Sequence, residues 1–473
     1  MSKKSIALCL AVFLVCTAIA VWAQEKSFNR EVSEKLITEI IPKWVPGSFV
    51  VSPNGDHAGY VGGTASRQAV PAYTGQGIGC PCFVVVDGAK GVPYDNIIFP
   101  IFSPDSKRVA YVARRGDKNF VVVDEAEEKE YDWVGYPILS PDSRRVAYPA
   151  AVGYLLSAER DSPFIVVDGK EEKQYVSRDS PIFSPDSRRV AYRAKLGKKE
   201  FVLVDGEEGK QYDNAGAPLF SQDSKRVAYA TKEGNRWLVV VDGTEGKQYD
   251  SIGTVIFSPD SKRVAYEAQA GDKWFVVEDG KEGKQYDGVS TPIFSPDSER
   301  MVYVAKIGKK RFVVVDGKEG KQYNDISNPL VSPDSKRVVY VAKVNKKMFV
   351  VADGIEGNQY NSLSNPIFSP DSKRLAYEVT VGKKWLVVVD EKEGKQYDGI
   401  KAPGPIFSPD SKRVAYAVEA GDKQFVVVDE EEGKQYDSIV TLGGGKIIFD
   451  SPDSLHYLAM KGNEIYLVVE KIK

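Results

Sequence analysis

Short apolar runs alternate with polar turns along most of the chain, and the same order returns about every 37 residues. In the copy at 328–363, a short apolar run leads into the turn Ser332-Pro-Asp-Ser335, and a longer one leads into a lysine-rich tip. The apolar run Phe349-Val-Val-Ala352 then ends at Asp353-Gly354, a dipeptide typical of hairpin turns. A polar segment, Asn358-Gln-Tyr-Asn361, completes the copy. The pattern therefore predicts four antiparallel strands in each repeat.

The tetrapeptide Ser-Pro-Asp-Ser marks the repeats, and a fixed period of this length is typical of a repeat architecture. Altered forms at Ser221 and Ser52 bring the number of copies to eleven, and the nine unaltered copies begin at Ser103, Ser140, Ser184, Ser258, Ser295, Ser332, Ser369, Ser408 and Ser451. Four strands in about 37 residues match one blade of a β-propeller and leave no room for a packed helix.

Eleven repeats exceed the roughly four to eight blades that one propeller usually contains. The period nevertheless stays at 37 residues from Ser184 to Ser369, with no linker between copies. We therefore predict an all-β protein with one large closed ring of about eleven blades. Two fused smaller propellers are the alternative.

The repeat also carries a family resemblance. The string Ile256-Phe-Ser-Pro-Asp-Ser-Lys-Arg-Val-Ala-Tyr266 resembles the WD-like, PD40-like repeat of TolB-type propellers and of the propellers in prolyl-oligopeptidase-type peptidases. The resemblance extends over nearly the whole chain and implies the propeller fold. It implies no single function, because such propellers serve many roles.

Residues 1–23 combine a basic start at Lys3 and Lys4, an apolar run from Ile6 to Val21 and a small residue at Ala23. This order is typical of a signal peptide cut near Ala23, and an uncleaved membrane anchor is the alternative. No other span of the sequence is apolar enough to cross a membrane. We expect export to the periplasm or beyond, with no membrane-spanning segment after cleavage.

Residues 24–39 form a separate N-terminal segment, in which Val32, Leu36 and Ile37 lie at helical spacing and predict a short helix. The propeller itself is expected over 40–473, where the last repeat supplies only three strands. We predict that a strand over 40–45 supplies the fourth strand of the last blade and so closes the ring.

Composition argues against most classes of chemistry. The 64 basic and 66 acidic residues nearly balance, which gives no general reason to expect nucleic-acid binding. Both histidines, His57 and His456, occupy the slot that holds arginine in the other repeats. Cys80 and Cys82 form either a local disulfide or two thiols, and their spacing is not that of a typical metal or redox motif. The sequence predicts no metal or cofactor, and a non-enzymatic role is favoured.

The departures from the repeat bear on function. Extra residues lie within 62–79, 149–163, 399–405 and 440–446, and all four connections are expected on one side of the ring. The residue at the start of the third strand also varies, and in four repeats it is Trp237, Trp274, Trp385 or Arg311. Indole and guanidinium groups are common anchors at binding surfaces, although tryptophans at this place could instead pack over neighbouring hairpins.

We therefore expect an exported, non-enzymatic scaffold whose variable-loop face binds a protein or a glycan through these four residues. The alternative is a carbohydrate-active enzyme, a lyase or a hydrolase, with a site near the ring axis.

Overall fold

The computed structural model describes residues 23–27, 30–41, 44–45, 47–63, 81–153, 163–173, 175–177 and 179–473. Eleven antiparallel sheets follow one another along the chain, and within each sheet the strands pair in meander order. We call these sheets blades 1 to 11, with blade 1 at 50–90 and blade 11 at 438–472. The prediction of an all-β propeller of about eleven blades is confirmed.

The inner strand of most blades consists of two short segments that both pair with the second strand. From blade 1 to blade 11 the inner segments are Val50–Val51; Asn96–Phe102; Trp133–Val134 and Ile138–Leu139; Ile182–Phe183; Asn214–Ala215 and Leu219–Phe220; Ser251–Ile252 and Ile256–Phe257; Gly288–Val289 and Ile293–Phe294; Asp325–Ile326 and Leu330–Val331; Ser362–Leu363 and Ile367–Phe368; Gly399–Ile400 and Ile406–Phe407; and Ser438–Ile439 and Ile448–Ser451. A short 3-10 helix, Leu442–Gly444, lies between the last two.

The second and third strands form the buried centre of each blade. The second strands are Ala58–Gly63, Val109–Arg115, Val146–Ala151, Val190–Leu196, Val227–Glu233, Val264–Ala270, Met301–Ile307, Val338–Val344, Leu375–Val381, Val414–Ala420 and Ser454–Lys461. The third strands are Cys82–Val86, Lys118–Val123, Phe164–Val167, Lys199–Val204, Arg236–Val241, Lys273–Glu278, Lys310–Val315, Lys347–Ala352, Lys384–Val389, Lys423–Val428 and Glu464–Ile472. Their central residues are buried on both sides, because each blade is covered by two neighbours.

The outer strand is the shortest and most exposed in blades 1 to 10. These strands are Ala89–Lys90, Ala126–Glu127, Lys170–Glu171, Glu207–Glu208, Thr244–Glu245, Lys281–Glu282, Lys318–Glu319, Ile355–Glu356, Lys392–Glu393 and Glu431–Glu432. A tyrosine follows each outer strand and packs into the next blade. Tyr286 after blade 6, for example, lies edge-to-face against Phe312 of blade 7, with ring centroids 5.7 Å apart. Such aromatic pairs add to the burial of aliphatic side chains between blades.

The ring closes because blade 11 packs against blade 1. Leu458 and Ile465 of blade 11 share one buried cluster with Val51 and Ala58 of blade 1. His456 Nε2 of blade 11 also lies 2.8 Å from the Asn54 carbonyl oxygen of blade 1. All eleven blades therefore form a single ring, and the alternative of two fused propellers is wrong.

The N-terminal segment consists of strands and not of the predicted helix. Ala23–Ser27 pairs with Arg30–Glu39, which in turn pairs antiparallel with Glu464–Ile472 of blade 11. The closing strand is thus 30–39 and not the predicted 40–45. A β-bulge between Leu36 and Thr38 shifts the alternation of buried residues, so that Val32 and Ile37 are buried. Leu36, the third apolar residue of the helical spacing, is 50% exposed. Pairing with the open edge of blade 11 decides the conformation.

Arg30 anchors the closing strand. Its guanidinium lies 2.9 Å from the Glu470 carboxylate, and the two side chains are 2% and 0% exposed. Arg30 Nη1 also donates to the Val426 carbonyl oxygen of blade 10 at 3.2 Å, and the Tyr457 hydroxyl donates to Glu470 at 2.6 Å. The buried charges are therefore paired and hydrogen-bonded, which makes removal of either one costly.

Several predictions concern residues outside the described part of the chain. They are the signal peptide up to residue 22, most of the extra residues within 62–79 and 149–163, and Cys80 with its choice between disulfide and thiol. Among the described residues, no helix has the length and apolar character needed to cross a membrane.

Candidate binding face

One face of the ring carries the Ser-Pro-Asp-Ser turns, and we call it the latch face. In blade 6, Ser258 Oγ donates to Asp260 Oδ1 at 2.6 Å, and the Asp260 N–H donates to Ser298 Oγ of blade 7 at 2.9 Å. The bond from Ser258 and a backbone N–H lower the pKa of Asp260 to about 2. The same bond from this turn position to the next blade joins successive pairs of blades from 1 and 2 to 9 and 10.

An arginine completes the latch in blades 2 to 10. Arg226 Nε of blade 5 donates to Asp242 Oδ2 at 2.9 Å, which holds the turn between the third and outer strands. Arg226 Nη1 donates to the carbonyl oxygens of Ser261 and Lys262 in blade 6 at 3.1 and 2.7 Å. Its guanidinium also lies 5.2 Å from the ring centroid of Phe257. The repeated tetrapeptide and its arginine therefore hold blades together.

Both histidines belong to this face. His57 Nδ1 lies 2.6 Å from Asp87 Oδ2, the turn carboxylate that elsewhere binds arginine. His456 Nδ1 lies 2.7 Å from Asp450 Oδ1, and its other ring nitrogen contacts blade 1. His57 thus replaces the arginine contact with the turn carboxylate, and His456 replaces the contact with a carbonyl oxygen of the next blade, on the two blades where the ring closes.

The opposite face carries the hairpin tips and the connections between blades, and we call it the tip face. Asp213 lies in the connection between blades 4 and 5, and its Oδ2 accepts a hydrogen bond from the Gly234 N–H at the tip of blade 5 at 2.6 Å. Lys199 of blade 4 lies 2.8 Å from Asp213 Oδ1. A carboxylate thus joins two neighbouring tips. The extra residues at 399–405 and 440–446 do not join an outer strand to the next inner strand, as the sequence predicted. Each stretch instead interrupts the inner strand of its own blade, 10 or 11, between two segments that both pair with the second strand.

The second residue of the third strand reaches towards the next blade when it is polar. Glu200 Oε2 accepts from the Ala215 N–H at 3.1 Å, and Gln424 Oε1 accepts from the Ile439 N–H at 2.9 Å. Arg311 Nη1 lies 3.0 Å from Asp325 Oδ1. Sequence reasoning missed these partners, although their nearly constant offset of 14 or 15 residues was available as a signal.

The three tryptophans at this position are half-buried, each on its own blade. Lys232 Nζ lies 5.7 Å from the ring centroid of Trp237, within reach of a cation–π contact. Within the described residues no ring contact joins any two of Trp237, Trp274 and Trp385. The residue fourteen positions further on, which supplies the polar partner in other blades, is small in these three cases: Ser251, Gly288 and Gly399. The tryptophans therefore form three separate aromatic sites on the tip face.

Two buried or half-buried glutamates bear on the alternative of an enzyme. Glu267 of blade 6 is 7% exposed, and its Oε1 accepts from the Thr291 hydroxyl at 2.6 Å. Burial raises the pKa of Glu378 in blade 9. Glycosidases use two carboxylates within roughly 10 Å of each other, whereas blades 7 and 8 separate these two. In the part of the chain that is described, no group of three or more acidic, histidine or cysteine side chains is placed to hold a metal ion.

Comparisons with known proteins find distant structural similarity only. No protein family matches the chain, and no curated protein matches it. A crystal structure of a eukaryotic initiation factor is 13% identical with a TM-score of 0.40, and the alignment covers 82% of this chain and 95% of that one. TolB from Acinetobacter baumannii is 14% identical with a TM-score of 0.26, covering 59% of this chain and 78% of TolB.

The β-propeller domain of the Trilobed protease from Pyrococcus furiosus is 16% identical with a TM-score of 0.29, covering 64% of this chain and 94% of that domain. Such low scores carry no argument, and the propeller fold follows from the sheet order of this chain itself. Membership of the WD-like, PD40-like repeats stays a prediction.

Proposed function

We propose that this protein is a non-enzymatic scaffold that is exported through an N-terminal signal peptide and binds a protein or glycan partner on its tip face. The contrast between the two faces carries the proposal. On the latch face the polar side chains are occupied by the same contacts between blades, as Ser258, Asp260 and Arg226 show. Residues that differ from blade to blade lie on the tip face, and variation on a rigid scaffold is typical of a binding surface.

The four predicted contact residues support this choice of face. Trp237, Trp274 and Trp385 are half-buried, and Arg311 is exposed. A half-buried indole keeps one surface available for a sugar ring or an apolar side chain while its position is fixed by packing. Residues of this type often dominate the energy of binding.

Capture of a partner from envelope extract tests the proposal. We expect the triple variant Trp237→Ala, Trp274→Ala and Trp385→Ala to lose most of the captured partner while it stays folded. Its melting temperature should fall only through the packing that the half-buried indoles lose, because they are not part of the latches. The matched control replaces three exposed lysines of the latch face with alanine, namely Lys107, Lys225 and Lys336. If the tryptophan variant captures as much partner as the wild-type protein, the three tryptophans do not contribute to binding. Catalytic turnover that a single carboxylate substitution abolishes would overturn the scaffold role.

Export is tested separately by sequencing the N-terminus of the protein recovered from the cell envelope. The proposal expects a mature chain that begins near Gln24, which retains the closing strand Arg30–Glu39. A chain that keeps residues 1–22 would contradict cleavage.

A further inference from the structure

Two adjoining cavities open between blades 7 and 8 on the tip face. The outer cavity encloses about 440 Å³ and is lined by Lys306, Gly308, Lys309, Arg311, Asn324, Asp325, Lys343 and Asn345. The inner cavity encloses about 220 Å³, and Lys306 and Arg311 line both. The two spaces therefore form one cleft with a shared pair of cations at the junction. We call it the 7/8 cleft.

The mouth of the 7/8 cleft is cationic. Four cations and one carboxylate line it, and Asp325 is committed to Arg311 at 3.0 Å. In the described part of the chain, Lys306, Lys309 and Lys343 form no salt bridge. Asp287, whose carboxylate binds Lys273, also interacts with the charge of Lys306. The positive charges of Lys309 and Lys343 are therefore the most available to a ligand that brings negative charge.

A break in the repeat removes a negative charge beside these cations, and the same break recurs at Asn361 in the next connection. The position of Asn324 holds aspartate in seven other connections, namely Asp95, Asp132, Asp213, Asp250, Asp287, Asp398 and Asp437. In six of these the aspartate pairs with the tip cation of the preceding blade. Lys310 is the corresponding cation here, and among the described residues it has no such acidic partner. Replacement of aspartate by Asn324 thus removes the anion that normally neutralises the tip.

The floor of the cleft is aliphatic. Val289, Val304, Ala305 and Ile326 line the inner cavity. An apolar cavity of roughly 150 Å³ admits a benzene-sized group, so 220 Å³ admits a branched aliphatic side chain. No aromatic ring lines either cavity, whereas the tryptophans that suit sugar rings lie on other blades.

The interface between blades 6 and 7 differs from the 7/8 cleft in the residues at the equivalent positions. In blade 6, Glu267 occupies the position of Val304 and Trp274 that of Arg311. Thr291 of blade 7 binds Glu267 at 2.6 Å, and the carboxylate is almost fully buried. At the equivalent place between blades 6 and 7, a buried carboxylate therefore stands where the 7/8 cleft has the smaller, uncharged Val304.

We propose that the 7/8 cleft binds an acidic peptide segment, with an aliphatic side chain on the apolar floor and flanking carboxylates against Lys306, Lys309 and Lys343. This inference rests on the proposal that the tip face binds partners, and it names one site and one ligand chemistry there. Aliphatic lining favours a peptide over a glycan, because sugars bind preferentially to aromatic faces.

Titration of the full chain with fluorescent pentapeptides tests the inference. The probe carries a leucine between two pairs of acidic residues, and a second peptide carries serine in place of the leucine. We expect the leucine peptide to bind, its affinity to fall as salt is raised, and the serine peptide to bind several-fold more weakly. An oligogalacturonate of the same charge should bind more weakly than the leucine peptide. Equal binding of both peptides would overturn the role of the floor, and tighter binding of the oligogalacturonate would overturn the choice of a peptide.

Matched variants locate the binding. The double variant Lys306→Glu, Lys309→Glu should bind the leucine peptide about tenfold or more weakly than the wild-type protein does. The control is the double variant Lys195→Glu, Lys198→Glu, which alters the equivalent exposed lysines of blade 4. The same change in charge there should alter the affinity for the leucine peptide by less than about twofold. If both double variants lose the same affinity for the leucine peptide, or if the variant of Lys306 and Lys309 loses none, the peptide does not bind at the 7/8 cleft.

A second pair of variants does not depend on charge. Gly288 lines the inner cavity, and a Cβ added there lies 3.8 Å from the Lys306 Cβ, an ordinary contact distance. Gly399 is the matched position in blade 10, with the Glu419 Cβ also at 3.8 Å. We expect Gly288→Ile to block the leucine peptide and Gly399→Ile to leave it unchanged. If wild-type protein binds no peptide, the 7/8 cleft proposal fails, while capture through the tryptophans remains a separate result.

Discussion

The two faces of one blade differ in what their polar side chains do. At the latch face of blade 5, Arg226 binds Asp242 in its own blade and two carbonyl oxygens in the next. At the tip face of the same blade, Arg236 forms an exposed pair with Asp250. The latch contact recurs around most of the ring. The tip pair also recurs, in six connections, but the residue beside its cation changes from blade to blade: it is Trp237 here, Glu200 in blade 4 and Arg311 in blade 7. A repeated scaffold thus keeps its chemistry where blades must meet and varies it where they need not.

The largest expected loss of stability concerns closure of the ring. Arg30→Ala leaves the Glu470 carboxylate buried without its cation and should cost about 3–5 kcal/mol of unfolding free energy. Lys35→Ala, on an exposed position of the same strand, is the control and should change the unfolding free energy by less than about 0.5 kcal/mol. Urea denaturation measures both. Equal midpoints for the two variants would mean that the closing strand does not hold the ring.

The contrast between the faces is tested within blade 5. Arg226→Ala removes charge-assisted bonds to a carboxylate and to the next blade, and should cost about 1–3 kcal/mol. Arg236→Ala removes one exposed pair and should cost less than about 1 kcal/mol. A larger loss for Arg236→Ala in thermal denaturation would reverse the comparison.

Acid should weaken the latch face. The pKa of Asp260 is about 2 in the folded protein, below the roughly 3.9 of an unfolded aspartate. Its contribution is therefore complete above about pH 4 and is lost as the pH falls towards 2. Because the serine bond lowers this pKa, Ser258→Ala should make the fall in melting temperature over that range shallower. An identical slope in the variant would show that the bond does not contribute.

The smallest expected effect is a gain. Asn324→Asp restores the carboxylate found in other connections, and a new pair with Lys310 should stabilise the protein by about 0.2–1 kcal/mol. The same change should weaken binding of the acidic leucine peptide, because the mouth of the 7/8 cleft loses positive charge. Tighter peptide binding in this variant would contradict the electrostatic account of the cleft.

The sequence was sufficient for the fold because each turn carries its own signal. Pro and Asp at the latch turns, and Asp-Gly before the outer strands, are local features that do not depend on distant partners. The closing strand was mispredicted because its bulge at Leu36–Thr38 and its pairing with residues more than 400 positions away are not local.

The variation of the tip residues was visible in the sequence, and their contacts within the protein were not predicted, while their role in binding a ligand stays a prediction. Arg311 was expected to contact a ligand, and the structure pairs it with Asp325 while leaving it at the junction of two cavities. The 7/8 cleft depends on the difference between Val304 and Glu267 at equivalent positions, and the space that this difference leaves is visible only when two blades are in contact. The replacement of aspartate by Asn324 was present in the sequence and was missed.

The central claim is that the latch face holds the ring and the tip face binds partners. The most direct test compares two variants. One is the latch double variant, which combines Arg226→Ala and Arg337→Ala, and the other is the tryptophan triple variant. Melting temperature and capture from envelope extract are measured on the same samples. The account predicts that the latch variant melts several degrees lower but captures its partner while folded, and that the tryptophan variant captures little at temperatures where it is fully folded. A latch variant that stays folded and loses capture, together with a tryptophan variant that retains it, would contradict the account.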